Sequence, residues 1–96
     1  MDDAKIKKFI NEMRMENHIT PFREDEEFTD YIKDGIFDIN EYCATEIDYD
    51  KDLKARRLLK YYVLYADYKI LAEFKQKYIG VYDELQRKYY INSHIQ

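Results

Sequence analysis

The chain has 96 residues and a formal net charge of −4, with two glycines, one proline and one cysteine. So few turn-forming residues argue against an all-β architecture and favour an all-α fold in one domain. The single cysteine excludes an internal disulfide and is typical of a reducing cytoplasm, and no apolar segment has the length of a signal-peptide core or a membrane span.

Charge is distributed unevenly along the chain. Residues 1–52 carry sixteen acidic and seven basic side chains, whereas residues 53–96 carry four acidic and nine basic ones. Copies of the chain could therefore stack through ends of opposite charge. The two halves could equally fold against each other within one molecule and cancel. Neither half has the strongly basic composition of a nucleic-acid binder.

The first predicted helix covers residues 4–15. Asp2 or Asp3 can cap its start by accepting hydrogen bonds from free backbone N–H groups. Its apolar residues fall on one face at helical spacing: Ile6, Phe9, Ile10 and Met13.

The second predicted helix covers residues 25–44. Acidic residues crowd its start, where the helix dipole favours negative charge: Glu24, Asp25, Glu26 and Glu27. A continuous apolar stripe follows: Phe28, Ile32, Gly35, Ile36, Ile39 and Cys43. A glycine inside a helix costs about 1 kcal/mol relative to alanine. We expect Gly35 to be there so that another helix can approach closely.

The third predicted helix covers residues 51–90, is capped by Asp48 or Asp50, and leaves residues 91–96 as a tail. It contains most of the chain's eleven tyrosines, and Gly80 is its one glycine. At 1.5 Å per residue such a helix would be about 60 Å long, whereas a compact domain of this size is roughly 30–35 Å across. Either the helix breaks near Gly80, or its distal end projects and is covered by another molecule.

This third helix carries two apolar stripes. The longer one is Leu59, Val63, Ala66, Ile70, Phe74, Tyr78, Val81, Leu85 and Tyr89, and the shorter one is Leu58, Tyr61, Tyr65, Tyr68 and Ala72. A helix that is apolar on two sides is expected to be buried on two sides. Tyrosine is enriched at protein interfaces, so the shorter stripe could meet a partner. Alternatively, the first two helices flank the third from both sides.

The sequence shows no motif for catalysis, a cofactor or a metal. The spacing of Asp48, Asp50 and Asp52 resembles the start of a calcium loop, but such a loop needs glycine and glutamate where Leu53 and Leu59 stand. We therefore expect neither an enzyme nor a bound cofactor or metal.

A small basic cluster opens the third helix: Lys54, Arg56, Arg57 and Lys60. Nucleic-acid binding is one interpretation, since Tyr61 and Tyr62 are adjacent and could stack on bases. The favoured interpretation is ion pairing with acids of the same subunit or a neighbour, such as Glu46, Asp48 and Asp50.

One pattern in the third predicted helix is formed by these positions: Leu58, Leu59, Tyr62, Tyr65, Ala66, Leu71, Phe74, Tyr78, Glu84 and Leu85. With this pattern, the second and third helices together resemble the small head–tail connector, or adaptor, proteins of long-tailed bacteriophages. The resemblance covers about three-quarters of the chain. Leu64 departs from the pattern, because an arginine is common at that position in the family. If that arginine pairs with a neighbouring subunit, Arg56 or Arg57 would have to replace it here.

The resemblance implies a small helical bundle that assembles as a ring, usually of twelve copies, beneath the portal protein at the capsid vertex. The ring extends the DNA channel and meets a tail-completion or stopper protein. DNA only passes through the channel, and no cofactor, catalysis or membrane is involved. The protein would be made in the host bacterial cytoplasm and would reside at the head–tail junction of the virion.

Within this hypothesis two sets of residues receive roles. The predicted subunit or portal interface is Tyr61, Tyr65, Tyr68, Tyr82, Arg56, Arg57 and Tyr90. The predicted acidic channel lining is Glu24, Asp25, Glu26, Glu27, Asp48 and Asp50. The alternative function is a small regulatory module, of the inhibitor or anti-repressor type, that binds one partner through its tyrosine-rich helix face.

Overall fold

The computed structural model describes residues 1–17, 19–20 and 23–94. Five α-helices follow one another: α1 (Asp3–Asn17), α2 (Asp25–Cys43), α3 (Leu53–Asp67), α4 (Phe74–Lys77) and α5 (Ile79–His94). A single 3-10 turn at Leu71–Glu73 precedes α4. All regular structure in these described ranges is helical, which confirms the predicted all-α bundle.

Helix α2 is the centre of the bundle and packs against α3, α5 and α1. The predicted apolar face of α1 and most of the predicted stripe of α2 are buried. The largest fully buried side chains come from all of the longer helices and from α4, and include Phe9, Phe28, Phe74 and Tyr82. The molecule measures 47 × 29 × 19 Å, so it is too small to contain a 60 Å helix.

Gly35 lies where α2 and α3 make their closest approach. A Cβ atom added there would lie 2.6 Å from Leu59 Cδ1 and 2.8 Å from Tyr62 Cδ1. Real Cβ atoms essentially never approach other atoms this closely. The expectation that glycine permits a close approach at this position is therefore confirmed.

The helix caps agree with the sequence for α1 and differ for α3. Asp2 accepts a hydrogen bond of 2.8 Å from the backbone N–H of Lys5. The side chain that caps α3 is Asp52, which accepts from the backbone N–H of Ala55 at 3.0 Å. The prediction of Asp48 or Asp50 was wrong because a turn at residues 48–51 delays the start of the helix.

The predicted continuous helix over residues 51–90 is wrong, because α3 ends in a Schellman motif. The N–H of Lys69 donates to the carbonyl of Ala66 at 3.1 Å, and the N–H of Ile70 donates to the carbonyl of Tyr65 at 3.0 Å. Lys69 has a φ of 63°, in the left-handed region that usually selects glycine at this position. The chain then turns back on itself through the 3-10 turn and α4.

This reversal sends α5 back along α2 instead of outward into solvent. Tyr82 and Leu85 of α5 are fully buried in the core. Gly80, where a break was one of the two predicted alternatives, lies inside the first turn of α5, and no other described residue approaches its Cβ position within 4 Å. Helix α5 continues through residue 94, so residues 91–94 of the predicted tail are helical, and residues 95–96 lie outside the described ranges.

Candidate interaction surfaces

The tyrosine face of α3 is partly covered by the chain's own reversal. Tyr61 stacks on Tyr78, with ring centroids 5.4 Å apart and planes 16° apart. Tyr65 packs edge-on against Phe74 at 5.2 Å and against Tyr78 at 5.7 Å. The second apolar side of α3 is therefore buried largely within the molecule. The residues that bury it come from the segment after α3, which was predicted to continue the helix.

Two of the predicted interface tyrosines remain open to solvent. Tyr68 is 66% exposed at the end of α3, and the neighbouring Ile70 and Leu71 are exposed as well. Tyr90 is 60% exposed near the end of α5, next to the half-exposed Ile91. Among the predicted tyrosines, these two present the most aromatic surface to a partner.

Tyr82 is a core residue, and its predicted place in an interface was wrong. Its side chain is fully buried, and its hydroxyl donates a 2.7 Å hydrogen bond to Asp38 of α2. Burial and this hydrogen bond raise the pKa of the Tyr82 phenol well above its usual value. Tyr82 belongs to neither apolar stripe of the predicted third helix, whereas the reversal after α3 places it against α2.

Arg56 ties three segments of the same molecule together, so its predicted interface role was also wrong. Its side chain is buried, and its guanidinium donates to Glu12 of α1 and lies 3.4 Å from a carboxylate oxygen of Asp50. The guanidinium also lies over the ring of Phe9, 5.0 Å from its centroid. Because of these contacts, little of the Arg56 side-chain surface is accessible to a neighbouring subunit.

The rest of the basic cluster is mostly paired within the molecule. Lys60 contacts Glu16 at 2.8 Å, and Lys54 pairs with Glu84. Arg57 differs, because it is exposed and makes no hydrogen bond or ion pair with any described residue. The Lys60–Glu16 pair joins the acidic half to the basic half, as do the contacts of Arg56 with Glu12 and Asp50, which supports the interpretation that the two halves fold against each other.

The acidic start of α2 is half neutralised by arginines from the connector and α1. Asp25 lies 2.5 Å from Arg14, and Glu27 lies 2.7 Å from Arg23. Two acids at the start of α2 are exposed and form no ion pair within the described part of the chain: Glu24 and Glu26.

The second predicted acidic segment is mainly structural. Asp50 lies 3.2 Å from Lys5 and 3.4 Å from Arg56. Asp48 is exposed, and its side chain accepts from the backbone N–H of Asp50 at 3.0 Å. Asp48 thus forms no ion pair with a described residue, whereas Asp50 is paired with both Lys5 and Arg56.

Three large apolar side chains outside the predicted interface are at least as exposed as Tyr68, and the most exposed of them is Met15 of α1, at 81%. Phe37 of α2 is 69% exposed, and Leu53 at the start of α3 is 67% exposed. The sequence held a signal for Phe37, because it falls among the charged positions of α2, opposite the apolar stripe. Leu53 could not be recognised, because helix α3 was predicted to start earlier.

Asp52 is the most enclosed carboxylate of the structure. It accepts hydrogen bonds from the Ala55 backbone, from the Tyr89 hydroxyl at 2.5 Å and from Lys88 at 3.0 Å. Burial pushes the pKa of Asp52 upward, but these hydrogen bonds and the lysine charge outweigh burial and lower it. This residue joins the start of α3 to the end of α5.

Cys43 is a buried thiol, and burial raises its pKa to about 11. A thiol with this pKa is protonated at neutral pH and behaves as a small apolar side chain. No group of three or more histidine, cysteine or carboxylate side chains in residues 1–17, 19–20 and 23–94 is arranged to hold a metal ion.

Comparison with known proteins does not identify the chain. It matches no protein-family model, and no curated protein or solved structure is significantly similar to it. No helix among the described residues combines the length and the apolar character needed to cross a membrane.

Proposed function

We propose that this protein is a structural connector at the head–tail junction of a long-tailed bacteriophage, where copies form a ring between the portal protein and a tail-completion or stopper protein. The proposal starts from the resemblance in sequence. Six positions that carry it are buried in the core: Leu58, Leu59, Tyr62, Ala66, Phe74 and Leu85. The resemblance is thus one of core pattern, which supports a shared helical architecture.

The observation that carries the proposal is the distribution of exposed apolar side chains. Phe37, Leu53, Tyr68 and Tyr90 are each at least 60% exposed, and they lie on α2, at the start of α3, at its end, and near the end of α5. Tyr68 lies beside the exposed Ile70 and Leu71, and Tyr90 lies beside Ile91, and adjacent exposed apolar side chains of this kind mark contact surfaces. A ring subunit between two other proteins needs several such surfaces, because it meets two copies of itself and a protein on either side.

Charge is consistent with this role. Glu24, Glu26 and Asp48 are exposed carboxylates that could face the channel, where they would repel the phosphates of passing DNA. Arg57, Tyr61, Tyr68 and Tyr90 remain candidates for contacts with the portal protein or a neighbouring copy. In this role the protein is not an enzyme and needs no cofactor.

The proposal is tested by affinity purification of the tagged protein from its native producing cells, followed by quantitative mass spectrometry. A connector should bring down portal and tail-completion proteins with many copies of this chain in each complex. Tyr68→Ala should reduce recovery of one neighbour, whereas Lys51→Ala in the exposed connector should not. A single polymerase, repressor or nuclease at equal copy number would refute the connector role and favour the regulatory module.

A further inference from the structure

The outer face of α2 combines one large apolar side chain with acidic residues. Its exposed side chains lie opposite the buried stripe of the helix: Glu26, Asp30, Lys33, Asp34, Phe37 and Glu41. At 100° per residue, Phe37 falls in the middle of this set. The α2 face is therefore a protruding aromatic ring surrounded by four carboxylates and one ammonium group.

The outer face of α3 has the opposite character. Its exposed or half-exposed side chains are apolar or basic: Leu53, Lys54, Arg57, Lys60, Tyr61 and Leu64. This α3 face borders a cleft of about 340 Å³ against the end of α1. Leu53, Tyr61 and Leu64 supply apolar walls to that cleft. Its one carboxylate belongs to Glu16, which is already bound to Lys60 at 2.8 Å.

The two faces lie on opposite sides of the molecule. Helices α2 and α3 pack through their buried sides, as the close approach of Gly35 to Leu59 and Tyr62 shows. Their outer faces must then point in opposite directions and cannot meet within one chain. Two copies can bring them together, and such a contact joins different patches. Contacts of that kind generate a closed ring or an open filament.

We infer that the α2 face of one copy docks on the α3 face of the next, with Phe37 entering the cleft beside Leu53 and Tyr61. A second copy fits because the acidic rim around Phe37 is complementary to Arg57 at the cleft, which forms no ion pair with the described residues, whereas Lys54 and Lys60 are paired with Glu84 and Glu16. An aromatic anchor in an apolar pocket with a polar rim is the usual composition of a protein interface. The inference deepens the proposed function, because it names the contact that joins neighbouring subunits of the ring.

The test uses charge reversals at two side chains that have no hydrogen bond or ion pair with the described residues, Asp30 and Arg57. Sedimentation equilibrium of the wild-type protein, at low ionic strength and up to millimolar concentration, should show a mass that rises with concentration. Asp30→Lys and Arg57→Glu should each weaken association by about tenfold or more, because each places like charges across the contact. Phe37→Ala should also weaken it.

Recombining the charges separates this contact from a general charge effect. An equimolar mixture of Asp30→Lys and Arg57→Glu should associate again, and so should the double variant in one chain. Lys7→Glu changes the net charge as much as Arg57→Glu but lies on α1, so it should associate like the wild type. Circular dichroism establishes that every variant remains folded.

The inference is overturned if the wild type stays monomeric throughout, if either reversal leaves association intact, if the mixture fails to recover, or if Lys7→Glu is equally damaging. Failure of the connector role is a different result. If the chain assembles through these faces but is recovered without portal protein, the connector role is refuted and the contact between the α2 and α3 faces is supported. If the chain is recovered with portal protein but never self-associates, only the contact between the α2 and α3 faces is refuted.

Discussion

Replacing Gly35 by alanine tests the packing of α2 against α3. Alanine gains about 1 kcal/mol over glycine in a helix interior, but overpacking a filled core costs about 1–3 kcal/mol. The added Cβ would meet Leu59 Cδ1 at 2.6 Å and Tyr62 Cδ1 at 2.8 Å. Both side chains are buried, so a shift of either one displaces other core residues. We therefore expect an overpacking cost near the upper end of this range. After the gain in helix propensity is subtracted, the free energy of unfolding should fall by about 1–2 kcal/mol.

The assay is thermal and urea unfolding followed by circular dichroism. For a domain of this size, a loss of that magnitude lowers the melting temperature by about 5–15 °C. Gly80→Ala is the matched control, because nothing lies within 4 Å of its Cβ position. It should leave the melting temperature unchanged or raise it by a few degrees. A Gly35→Ala protein as stable as the wild type would refute the close approach of the two helices.

Three further predictions concern individual side chains. Tyr65→Ala should lower the free energy of unfolding by about 2 kcal/mol, because Tyr65 packs on Phe74. Tyr68 is exposed, so Tyr68→Ala should stay within about 0.5 kcal/mol of the wild type in urea unfolding. Equal effects would contradict the conclusion that Tyr65 is packed and Tyr68 is exposed. The pKa of Asp52 is lower in the folded protein than in the unfolded chain. The Asp52 carboxylate therefore stabilises the fold fully at pH values above its ordinary pKa of 3.8, and this stabilisation is lost as the pH falls through the pKa of the folded protein. The stability gap between wild type and Asp52→Asn should therefore narrow in acid, and a constant gap would be inconsistent with this pKa shift. Cys43, whose pKa burial raises to about 11, should react with a thiol reagent at mildly alkaline pH only as fast as the protein opens; immediate stoichiometric labelling would show that it is accessible.

The helical class and much of the core could be predicted from the sequence, because they depend on periodicity. Ile6, Phe9, Ile10 and Met13 are all buried as predicted. The role of Gly35 could also be predicted, because a glycine inside an apolar stripe costs stability and needs a packing reason. Local spacing is sufficient for inferences of this kind.

The reversal after α3 could not be predicted, because its usual signal is missing. A Schellman motif normally has glycine in the left-handed position, and here that residue is Lys69. The stripe beyond it continued at helical spacing, so periodicity favoured an unbroken helix. Tyr82 was predicted to lie at an interface, whereas the reversal buries it against α2.

Arg56 shows a different limit. A basic residue at the start of a helix is usually exposed, and nothing near it in sequence predicts that Glu12 will meet it from α1. Pairing between residues so far apart depends on the packed fold. Arg57, one position later, lies about 100° further round the helix and stays exposed, so the two arginines could not be distinguished before the fold was known.

The central claim is that many copies of this chain are built into a phage particle, and its copy number there tests that claim most directly. Quantitative mass spectrometry of purified particles from the native host should find this chain at about the same copy number as the portal protein, in keeping with a ring stacked on a ring. If the protein is abundant in the producing cells but absent from purified particles, the connector role is contradicted. That result would favour the alternative, a small regulatory module that binds one partner.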